Sequence, residues 1–126
     1  MTSQGHAYTR FRRAIADPKS VAVIRAAVAE LPAPVPLDDA LEVCLAFLEL
    51  EPASYDHAAA RWAGRLILER RLGIADAQLA LSAIAALARG ERRAGAEALI
   101  CLSEKYRVER GERILTGWLE RHGLAL

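Results

Sequence analysis

The sequence predicts an all-α fold, and three observations carry that expectation. The apolar fraction, 53% of the chain, is dominated by Ala and Leu, which are strong helix formers, while Val and Ile are few. Apolar side chains recur at helical rather than alternating spacing. Pro and Gly cut the chain into about seven segments of helical length, joined by connections of a few residues. Such short connections make sequence neighbours antiparallel. The expected architecture is therefore six to seven short helices in stacked antiparallel αα-hairpins, as a compact bundle or a short helical-repeat-like array.

The first helix runs from near Gly5 to Ala16, with Tyr8, Phe11 and Ile15 on one face. Asp17-Pro18 reads as an N-cap followed by Pro at the first helical position, opening a second helix to about Leu31 through Val21, Ile24 and Val28. Pro32, Pro34 and Pro36 hold the next stretch extended. The third helix, about Leu37 to Leu50, starts with Asp38 and Asp39 at the positive end of its dipole and carries Leu41, Cys44, Leu45 and Leu48. Pro52 ends it. Ser54 caps a fourth helix from about Tyr55 to Leu72, with Gly73 as its left-handed stop. The fifth runs from about Asp76 to Arg89 and stops at Gly90. The sixth spans about Arg92 to Tyr106, and the seventh about Glu109 to His122 before Gly123.

At 126 residues the chain has the commonest size of one domain, so residues 1–126 are expected to share one core, with a sub-boundary in the connector 32–36. A spacing of 37 residues matches Asp39-Ala40 to Asp76-Ala77, Ala46 to Ala83, Leu50 to Leu87 and Ala59 to Ala96, and sets Trp62 where Leu99 stands. In so Ala-rich a chain, matches of this kind also arise by chance.

Composition excludes several classes. The net charge is +1, from 17 basic and 16 acidic residues, without the basic excess that non-specific nucleic-acid binding needs. Cys44 and Cys101 lie in apolar helical patterns with no metal or redox spacing, and read as core thiols of a reducing compartment. The N-terminus has no apolar run of signal length, and no stretch approaches ~18 apolar residues, so a soluble cytoplasmic protein with no membrane contact is expected.

Catalysis needs a positioned nucleophile–base or acid–base pair. Of three histidines, His6 lies near the N-terminus, and His122 suits the dipole at a helix end. His57 has only Asp56 and Tyr55 beside it in sequence. Gly64, Gly73, Gly90 and Gly95 are isolated and make no phosphate loop. The chain is read as a non-enzyme without cofactor or metal site. A helix-turn-helix over Leu68 to Arg89 offers only Asp76, Gln78 and Ser82 among Ala, Leu and Ile, so its second helix reads as buried.

One stripe stands out. His57, Arg61 and Arg65 lie four apart on the fourth helix and end at Glu69, with Trp62 beside them. Like charges at that spacing oppose helix stability by roughly 0.2–0.5 kcal/mol per pair, so they call for an acid or a ligand. Glu69 and the preceding helix's Glu42, Glu49 and Glu51 are the internal candidates. The functional reading is an interaction face for an acidic protein surface, with Trp62 as an aromatic anchor, although the face Trp62 shares with Ala59, Ala63 and Leu66 favours a core position for it. Arg10, Arg12 and Arg13, which flank Phe11, form a secondary basic patch. It supplies the alternative of a nucleic-acid-associated protein. The expected function is a protein-interaction or adaptor module, and homodimerisation through a leftover apolar face is compatible with it.

Overall fold

Seven helices form where the apolar periodicity places them. The computed structural model describes residues 3–125, and these contain α1 (Ser3–Ala16), α2 (Val21–Ala29), α3 (Leu37–Leu50), α4 (Pro52–Glu69), α5 (Ile74–Ala88), α6 (Arg92–Lys105) and α7 (Gly111–Arg121), with no strand. No helix among them is long and apolar enough to cross a membrane.

Three element ends differ from expectation, each for a local reason. Ser20, not Asp17, caps α2. Its backbone is extended (φ −156°, ψ 151°) and its hydroxyl accepts the Val23 N–H at 3.1 Å. Pro52 opens α4 as its first residue, where a missing N–H costs nothing, so α3 and α4 meet at Glu51 and Ser54 lies inside the helix. The left-handed residue after α4 is Arg71 (φ 57°), whereas Gly73 is extended and caps α5. The Leu72 N–H then reaches back to the Ile67 carbonyl at 3.0 Å, closing a Schellman turn around an arginine. Arg107 (φ 57°) repeats this after α6, with the Val108 N–H on the Ser103 carbonyl. Gly90 and Gly123 occupy the corresponding positions after α5 and α7.

Each helix from α3 to α7 packs on the next, and α7 returns to α3, so these five close a compact bundle. Its core holds Leu41, Cys44, Trp62, Leu66, Leu87, Leu99, Leu115 and Trp118. A second, smaller core lies on the other side of α3, where α1 and α2 bring Phe11, Ile15, Val21 and Ile24 against Ala46 and Phe47. Of the residues matched at the 37-residue spacing, Ala59 and Ala96 share the main core, as do Trp62 and Leu99, but those of α3 and α5 do not share environments. Ala46 faces the smaller core while Ala83 faces the larger, so α3 and α5 present opposite sides inward.

Candidate functional site

The fourth-helix row is only partly free. His57 and Arg61 are exposed and have no ion partner among the described residues. Arg65 is paired, its Nε donating to Glu69 Oε2 at 2.7 Å across one helical turn. The acids of α3 do not reach the row. Glu42 is held by Arg12 and Arg110, Glu49 lies 3.2 Å from His122 Nε2, and Glu51 accepts the Ser54 hydroxyl. Tyr55 faces away from His57 and donates its hydroxyl to the Ile84 carbonyl at 2.8 Å. Burial raises its pKa strongly.

Trp62 is not a surface anchor. It lies a third of a turn round the helix from Arg61, shares a face with Ala59, Ala63 and Leu66, and is 2% exposed. Its indole N–H donates to the Leu37 carbonyl at 2.9 Å, so it ties α4 to the start of α3. In place of an aromatic, the exposed side of α4 continues into Leu68, which is 80% exposed.

The secondary basic patch is dispersed, because α1 sends alternate arginines to different neighbours. Arg10 donates through Nε and Nη2 to Glu30 beyond α2, at 2.9 and 2.6 Å. Arg12 points inward to Asp39 (2.9 Å) and Glu42 (2.7 Å) of α3. Only Arg13 remains exposed without an ion partner among the described residues. Phe11 and Ile15 are buried as expected, whereas Tyr8 is 43% exposed and donates its hydroxyl to Asp39 Oδ2 at 3.0 Å.

Arg12 belongs to a knot that joins three distant parts of the chain. Arg110, at the start of α7, donates to Asp38 (3.0 Å), Glu42 (2.8 Å) and Asp39. Asp39 is 1% exposed, so its charge depends on these two guanidinium groups. Hydrogen bonding to Glu42 raises the Arg12 pKa. Burial opposes the Arg110 charge, but Glu42, Asp38 and Asp39 outweigh it and push that pKa up as well. Tyr8 is raised by burial and by its bond to Asp39. Every carboxylate here accepts from arginine, which makes the cluster a brace. Sequence reading missed it, although one signal was present. Asp38, Asp39 and Glu42 share a face of α3, and that helix contains no basic residue to meet them.

The two thiols differ. Burial pushes Cys44 up to about 12, while Cys101 is exposed on α6. Among the described residues, no group of three or more metal-ligating side chains comes together. Comparison with known proteins finds no family model, no curated protein and no solved structure that this chain matches.

Proposed function

We propose that this chain is a non-enzymatic protein-interaction module that uses the outer side of α4 to hold an acidic surface of a protein partner. The carrying observation is Arg61, an exposed cation with no carboxylate partner among the described residues, in line with the exposed His57 and Leu68. A cation row ending in an exposed apolar side chain suits a partner that offers acids around an apolar socket. The pairing of Arg10 and Arg12 with internal acids weakens the nucleic-acid alternative. Two free cysteines favour a reducing compartment, and we assign the protein to the cytoplasm.

Replacing Arg61 by Glu tests this, with Arg65 left in its pair with Glu69. Capture of partners from native lysate is lost, while helicity and the melting midpoint stay unchanged. Melting that collapses would make the row structural. Capture that disappears only on nuclease treatment would make the partner a nucleic acid.

A further inference from the structure

We infer that the groove between α7 and the α1–α2 turn binds a small carboxylic acid, with its carboxylate between Arg113 and Arg121 and its apolar body against α3. This stands apart from the Arg61 reading, because no residue of α4 lines the groove.

The groove exists because α3 carries neighbours on two flanks, α7 on one and α1 with α2 on the other. Between them lies a hollow of about 450 Å³, within the range of small-molecule sites. Its lining is apolar at the centre, with Leu45 and Ala46 from α3, Ile15 from α1, and Ile114 and Trp118 from α7.

The charges around this lining do not balance. Its two carboxylates have partners within the chain, since Glu42 accepts from Arg12 and Arg110 and Glu49 lies 3.2 Å from His122 Nε2. The other cations of the groove, Arg113 and Arg121, are exposed and have no ion partner among the described residues. Two free guanidinium groups beside an apolar lining select an anion with an apolar body. A second hollow that Trp118 also borders, with Pro52 and Arg92, offers one free arginine rather than two.

The spacing of the pair fits a single carboxylate. Arg113 and Arg121 stand on one face of α7 with Gly117 midway between them. Arg121 folds back along the helix, its Nη1 3.5 Å from the place a Cβ of Gly117 would take. That closes two turns of separation to about one, roughly 5 Å along the axis, so one carboxylate accepts from a guanidinium on each side. Gly117 keeps the place between them open. Glycine is unfavourable inside a helix, and beyond its own neighbours in α7 only Arg121 comes within 4 Å of its missing Cβ.

The lining also holds a donor without an acceptor. Trp118 is 1% exposed and its indole N–H finds no partner among the described residues, whereas Trp62 has the Leu37 carbonyl. A buried donor left unpaired is costly, which favours an acceptor brought by a ligand at this wall.

Isothermal titration calorimetry with 2-naphthoate and its neutral isostere 2-naphthamide tests this. The wild type is expected to bind the acid at least about tenfold more tightly than the amide. Arg113→Glu and Arg121→Glu should each lose that preference with helicity unchanged, since both positions are exposed. Gly117→Glu sets an internal carboxylate one turn from each arginine. It should raise the melting midpoint and yet abolish binding, a combination no folding defect produces. Arg61→Glu and Ile74→Ser, on other surfaces, should bind as the wild type does. No binding of the acid, equal binding of acid and amide, or unchanged affinity in the Arg113 and Arg121 variants overturns the proposal. The lysate test of Arg61 is independent of either result.

Discussion

Helices α3 and α5 are both apolar on more than one side, and the molecule treats them differently. The inner side of α3 packs in the main core, and its outer side, with Ala46 and Phe47, is covered by α1 and α2. α5 buries Ala80, Ala83, Ile84 and Leu87 inward, and nothing among the described residues covers Ile74 and Leu81. Their first-turn aspartates differ in the same sense. Asp39 is buried between Arg12 and Arg110, whereas Asp76 is clipped near the surface by Lys105 and Tyr106. The comparison teaches that an apolar helix is enclosed on its second side only where neighbouring helices, braced by ion pairs, lie over it.

The largest expected effect is on the brace that holds the cover of α3. Arg110→Ala leaves Asp39 and Glu42 with Arg12 as their one cation and Asp38 with none among the described residues, and should lower stability by about 2–4 kcal/mol in urea unfolding. Arg61→Ala, at an exposed arginine without an ion partner among the described residues, should stay within about 0.5 kcal/mol. Equal losses for the two would erase the distinction between knot and row.

The inner side of α5 comes next. A Cβ at Gly95 would lie 2.8 Å from Leu87 Cδ2 and 2.9 Å from the Ala83 carbonyl oxygen, and that backbone cannot yield without moving α5. Gly95→Ala should therefore cost about 1–3 kcal/mol by the same measurement. A neutral result would mean that α5 is loosely held on both sides.

The smallest effect separates the two aspartates by pH. Hydrogen bonds from Lys105 and Tyr106 hold the Asp76 carboxyl below its ordinary value. A lowered folded pKa contributes stability above the usual carboxylate range, and that contribution is lost as pH falls through the lowered value. Asp76→Asn should remove this small part of the acid sensitivity in a melting-versus-pH series and leave the melting midpoint near neutral pH only slightly reduced. An unaltered acid limb would show that the clip contributes nothing.

Much of the fold was legible in the sequence, because Leu37 to Leu50 and its counterparts carry a helical period bounded by Pro or Gly. The helix starts at Ser20 and Pro52 and the turn at Arg71 were not, because each depends on one residue's backbone state, where several candidates compete locally. The row at Arg61 was visible since its members are four apart. The knot was hidden because Arg110 meets Asp38 across 72 positions, a separation no local pattern records. Trp62 was named with the row, but the face it shares with Ala59, Ala63 and Leu66 already pointed to the core, where the helix turns it. α5 was expected to be buried, and its composition does ask for burial, though only one side receives it within the chain.

The most direct test of the account is capture of partners from native lysate by the wild type and by Arg61→Glu, with Arg13→Glu on α1 as an exposed control. Capture should be lost for Arg61→Glu and kept for Arg13→Glu. Equal capture by the two variants would contradict the account.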